Sequence, residues 1–139
     1  MRQEFGRSLD ELANIVAFTG RFFESGAADR SLKNVVDLCV EELFVNMLRY
    51  NRESVADILI EIGPQDSGVR VSLTDFDVER FDPHDAPPVD VDAPLAEREP
   101  GGLGLYLVMK MANAVHYEYR DRVSKITFIA DRKDKNAGH

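Results

Sequence analysis

In the stretch VEELFVNMLRY, Glu42 and Asn46 stand four positions apart. On a helix that spacing puts both on one face, about 40° apart around the axis. The pair combines a carboxylate able to take a proton from a hydroxyl or water with an amide oxygen suited to a hard cation such as Mg²⁺. The same two residues also fit an ordinary solvated helix flank. Glu41, about 100° round from Glu42, is expected to face water.

Two further places carry chemistry. Asp75 follows VRVSLT, a β-branched run, and an acidic residue at a strand end either accepts from an exocyclic amine or simply ends the strand. Gly101, Gly102 and Gly104 precede LYLVMKMANA. Glycines opening a helix let backbone amides close around an anion, where the helix dipole favours negative charge; a hinge beside the acidic loop is the other reading. No Gly-Lys-Ser/Thr follows, so this is not a Walker A loop. Arg98 and Lys110 flank the cluster. His84, His116 and His139 have no second ligand at helical spacing, which argues against a histidine metal site.

These residues need elements to hold them. RQEF suits a short edge strand. Ser8 and Glu11 have capping-box spacing, and Leu9, Leu12, Ile15, Val16, Phe22 and Phe23 fall largely on one side of a helix that Gly26 ends. A second helix is predicted from near Asp29 to about Asn51, with Leu32, Val35, Val36, Cys39, Leu43 and Met47 in period. ADILIEIG and VRVSLTD, separated by PQDSG, read as an antiparallel hairpin. Asp82 to Pro100 is dense in proline and aspartate and suits a loop. LGLYLVMKMANA suits a helix, VHYEYRD and KITFIAD suit strands, and RKDKNAGH a frayed tail. The order predicts an α+β fold, a two-layer sandwich with helices on one face of a largely antiparallel mixed sheet.

Composition narrows the function. The 139 residues fit one domain spanning 1–139, and 44% hydrophobic residues argue against global disorder. A net charge of −8 disfavours nucleic acid and anionic membrane as partners. The single cysteine, Cys39, excludes an internal disulfide and cannot alone hold a structural zinc. Without a membrane-length apolar run or a signal-peptide core, the chain reads as a cytoplasmic soluble domain.

Taken in order, Glu-x-x-x-Asn on a helix, an aspartate at a strand end, a loop, and Gly-Gly-Leu-Gly opening a helix resemble the GHKL ATPase superfamily. Its Bergerat fold binds ATP between helices and a sheet under a mobile lid. The match covers nearly the whole chain and is closest to small ATP-binding proteins related to bacterial anti-sigma factor serine kinases. The resemblance implies that Glu42 is the general base, Asn46 the Mg²⁺ ligand, and Asp75 the partner of the adenine amine. It also implies that Asp82 to Pro100 is the lid with Arg98 near its base. Gly102, Leu103 and Gly104 would line the ATP phosphates.

The chain departs from the pattern where the first glycine box should read Asp-x-Gly. Here it reads DFD, with Asp77 in place of glycine; counting back from FDP puts Val78 there instead. Tyr50 stands where many relatives carry histidine. Two functions follow. One is a serine kinase that phosphorylates a STAS-type anti-sigma factor antagonist, freeing the protein to hold a sigma factor, with a homodimer implied. The other is a module that sequesters partners with ATP in a structural role or with no nucleotide. A histidine-kinase catalytic domain needs a phosphoacceptor helix with a histidine, and neither of the first two helices has one.

Overall fold

Caps and apolar spacing set the first half of the chain. The protein is seen here as a computed structural model that describes residues 1–79 and 108–132. After β1 (Arg2–Phe5), Ser8 caps a single 3-10 turn, Leu9–Glu11, that runs into α1 (Leu12–Glu24). The capping box takes a shifted form. Ser8 Oγ accepts from the Asp10 amide at 3.1 Å, and Glu11 Oε2 reaches past Ser8 to the Gly6 amide at 2.8 Å. Gly26 follows the helix with φ +80°, a backbone state in which a Cβ is strained. The inward face is Ile15, Phe18, Phe22 and Phe23; Leu9 and Val16, expected there, are 60% and 48% exposed. Val16 is one position past Ile15 and therefore about 100° further round.

Asp29 caps a second short turn through the Ser31 amide at 2.8 Å, and α2 (Lys33–Tyr50) follows. Its buried face is Val36, Cys39, Val40, Leu43, Phe44 and Met47. Asp37 ties the helices together, accepting from Thr19 Oγ1 at 2.6 Å while pairing with Lys33 at 2.5 Å.

The sheet comprises β1, β2 (Ile58–Gln65), β3 (Gly68–Phe76), β4 (Ala114–Arg120) and β5 (Val123–Asp131) in the order β1-β2-β3-β5-β4. Every pairing among these strands is antiparallel. The β2–β3 turn is tighter than its composition suggested: Pro64, Gln65 and Gly68 pair within the strands, which leaves Asp66 and Ser67 as the loop. Gly68 is required by close approach, because a Cβ there would meet the Ala130 carbonyl oxygen at 2.3 Å.

The alternation of strand side chains decides which face meets the helices. On β3, Val69, Val71, Leu73 and Asp75 are fully buried and share one face. Ile60 and Phe128 are likewise buried, and Phe5 meets Phe18 edge-on at 5.6 Å. Each such buried aliphatic or aromatic side chain contributes about 1.5–3 kcal/mol. Two helices on one face of an antiparallel sheet make the α+β sandwich read from the sequence. The residues at 108–111 are helical, with Val108 and Ala112 buried, in keeping with the helix expected there. The lid at Asp82–Pro100 and the glycine cluster lie outside the described residues, as does the tail from 133 onward. Among the described residues no helix is long and apolar enough to cross a membrane.

Candidate functional site

Glu42 and Asn46 share the flank of α2 beside its buried face. Asn46 is only 3% exposed, and its Nδ2 donates to the Glu42 backbone carbonyl at 2.6 Å. That bond fixes the amide so that Oδ1 is the free atom, and Oδ1 is buried with no hydrogen-bond partner. A buried carbonyl oxygen left unpaired costs about 1–3 kcal/mol, so a water or a ligand is needed to satisfy it. A hard cation satisfies it: amide oxygens are among the ligands Mg²⁺ accepts, usually beside waters and phosphate oxygens. The residues present therefore fit the metal that the sequence reading assigned to Asn46.

Glu42 is half-buried and Glu41 exposed, as their helical positions required. Burial pushes the Glu42 carboxyl above its ordinary range, Glu41 adds to the rise, and Arg49 opposes it. A carboxylate raised in this way is a stronger base once ionised. One turn earlier, burial pushes the Cys39 thiol up to about 11, which removes thiolate chemistry near neutral pH.

Arg49 belongs to the same stripe, three residues after Asn46 and seven after Glu42, and its buried Nη1 has no partner. A guanidinium donor beside an orphaned amide oxygen is suited to a phosphate oxygen. The sequence reading missed it. The available signal was its helical offset from Asn46, which continues the Glu42–Asn46 face by one more turn.

Asp75 ends the helix-facing row of β3 and is fully buried. Its Oδ1 is ion-paired with Arg7 Nη2, and its Oδ2 accepts from Asn51 Nδ2 at 2.7 Å. Asn51 is the cap of α2, so this bond fastens the helix end to the strand end. At about 1.5 Å per residue, Asn46 lies roughly 7 Å and Glu42 roughly 13 Å back along the helix from Asn51. A buried carboxylate at one end and an unpaired amide oxygen with a second carboxylate further along have the spacing of a ligand that has a base at one end and phosphates at the other. Arg7 and Asn51 are 68 and 24 residues from Asp75 in sequence, and nothing in the local pattern paired them.

Asp77 has φ +58°, whereas Val78 is buried, is not among the residues at positive φ, and donates its amide to the Arg122 carbonyl at 3.0 Å. The left-handed backbone that favours glycine is therefore at 77, the position where the Asp75-x-Asp77 register expects glycine. The Asp77 side chain turns outward to Arg122 Nε at 2.9 Å. Asp77→Gly is expected to relieve backbone strain of about 1 kcal/mol and lose an exposed, screened ion pair of little worth. A small rise in melting temperature should follow, with nucleotide affinity unchanged or improved; a drop of several degrees would show that the Arg122 contact matters more than the strain.

Arg98, Gly102, Leu103 and Gly104 lie outside the described residues. A cleft of about 330 Å³ lined by residues including Arg70, Ser72 and Lys125 opens elsewhere. Arg70 and Ser72 alternate with Asp75 on β3, so that cleft is on the helix-free face and separate from this site.

A sequence model of the histidine kinase-like ATPase domain matches residues 5–130, which includes α2, Asp75 and the whole 80–107 stretch. No curated protein matches the chain.

Proposed function

The chain belongs to the histidine kinase-like ATPase domain family, and from that premise we propose that it is an ATP-dependent serine protein kinase of the anti-sigma type. The partner class is a STAS-type anti-sigma factor antagonist, and phosphorylation of that partner adds charge that breaks the complex. The observation that carries the nucleotide site is the orphaned, buried Oδ1 of Asn46 beside the half-buried Glu42.

In this reading Asp75 accepts from the adenine amine, Asn46 Oδ1 holds the metal and Arg49 neutralises phosphate charge. Glu42 takes the proton of the partner's serine hydroxyl as its oxygen bonds to the γ-phosphorus and the bond to the β–γ bridging oxygen breaks, releasing ADP. A bound Mg²⁺ supplies charge neutralisation across the phosphate oxygens. Positioning and charge stabilisation contribute most of the rate enhancement in such transfers.

The test is incubation with Mg·ATP and a candidate antagonist. Serine phosphate is expected with the wild type and lost with Glu42→Gln, while the variant still binds ATP; loss of binding as well would make Glu42 a structural residue. Because the Glu42 carboxyl is raised, the acid limb of the rate profile should lie above the ordinary carboxylate range, and Glu41→Gln should bring it down. The sign for stability is opposite to that of a salt-bridged acid. With the native carboxyl above its unfolded value, ionised Glu42 costs stability, and that cost begins to shrink as pH falls through the native value and is gone below the unfolded one. Glu42→Gln should thus stabilise the protein at neutral pH and not in acid.

A second reading, a sequestering module that works without nucleotide, is favoured by one observation: both Asp75 oxygens are already engaged. Partner binding indifferent to ATP, with no transfer, would establish it.

A further inference from the structure

Arg7 lies between β1 and the turn that begins α1, and its side chain closes three segments onto one another. Nη2 pairs with Asp75 Oδ1 at the end of β3, and Nε donates to the Ala56 carbonyl at 2.9 Å in the α2–β2 loop. Asn51 holds the other oxygen of Asp75. A carboxylate has more lone pairs than these two bonds use, but Asp75 is fully buried, so no open surface remains for a base to approach.

We propose that Arg7 is a latch on the base site, occupying the place of the base's exocyclic amine on Asp75, so that a base bearing that amine reaches Asp75 only when Arg7 leaves. The inference rests on the assignment of Asp75 given above. Two features suit a contact built to open. Arg7 Nη1 is buried without a partner, so the closed arrangement leaves one donor unsatisfied and release costs correspondingly less. The exposed Glu53 and Asp57, on the same loop as Ala56, already act on the charge of Arg7 and can receive the guanidinium once it swings out. Asn51 stays on Asp75 throughout. The binding-competent fraction then scales the apparent affinity, and a charge-assisted bond of this kind corresponds to a factor of roughly ten or more.

The experiment titrates the full chain and Arg7→Gln with Mg·ATP and with the Mg complex of purine riboside triphosphate, which lacks the exocyclic amine. The variant is expected to bind ATP about ten-fold more tightly and the analogue no differently from wild type. Equal or weaker ATP binding by the variant overturns the latch and leaves the nucleotide site standing. An equal gain for both triphosphates also overturns it, because the side chain would then block the cleft without competing for the amine's acceptor. If neither protein binds any nucleotide, the site assignment itself falls, and the latch with it. The wild type provides a check that needs no substitution: Mg·ATP should speed tryptic cleavage after Arg7, and unchanged or slower cleavage overturns the proposal.

Discussion

Asn46→Ala should abolish Mg²⁺-dependent nucleotide binding while leaving the apo protein about as stable as before. The two halves of this expectation come from different atoms of one side chain. Removing Nδ2 loses its bond to the Glu42 carbonyl, a net loss of about 1 kcal/mol. Removing Oδ1 deletes a buried acceptor that has no partner, which returns about 1–3 kcal/mol. The balance lies near zero or slightly on the stabilising side. For the metal complex nothing compensates, and loss of a ligand oxygen should lower affinity about 100-fold or more. Titration with a fluorescent ATP analogue, with and without Mg²⁺, beside a melting curve of each protein reads both halves. Unchanged Mg²⁺-dependent affinity would remove Asn46 from the site. A large fall in melting temperature would mean that Oδ1 has a structural partner after all.

The largest cost to stability should come from Asp75→Ala. The carboxylate is fully buried and is the shared acceptor for Arg7 and Asn51, so its removal leaves one guanidinium donor and one amide donor without a partner. Breaking a buried ion pair from one side costs about 3–5 kcal/mol. The lower end, about 3 kcal/mol, is expected here because Arg7 has an escape toward Glu53 and Asp57. Against a total of about 5–15 kcal/mol for a domain, that is a large share. Urea denaturation of the two proteins measures it directly. A loss under about 1 kcal/mol would mean that the strand end and the helix cap are held by something other than this carboxylate. The pairing also makes Asp75 serve twice, fastening α2 to β3 in the closed protein and receiving the base in the proposed open one.

What the chain's order alone determined was the set of elements and the chemistry along α2. The apolar period on α2, the β-branched runs of β2 and β3 and the alternation on β4 and β5 are local quantities, and they placed Glu42, Asn46 and Asp75 on a helix face and at a strand end without knowledge of any contact. The strand at Arg2–Phe5 and the helix limits at Gly26 and near Asn51 follow from the same local rules. The local reading faltered in two places: Leu9 and Val16 face outward, Val16 because it lies about 100° round the helix from Ile15, and the β2–β3 turn shrank to two residues as pairing with β3 extended through Pro64. Three things were settled only by the fold. The bond from Asn46 Nδ2 to its own helix made Oδ1 the free atom. The positive φ fell at Asp77 and not at Val78, which counting along the chain had left open. The meeting of Arg7, Asn51 and Asp75 joined a loop, a helix cap and a strand end. Periodicity reports which way a side chain points relative to its neighbours along the chain. Which distant donor reaches a buried carboxylate depends on how separate elements close over it, and that is decided by packing rather than by order in the sequence.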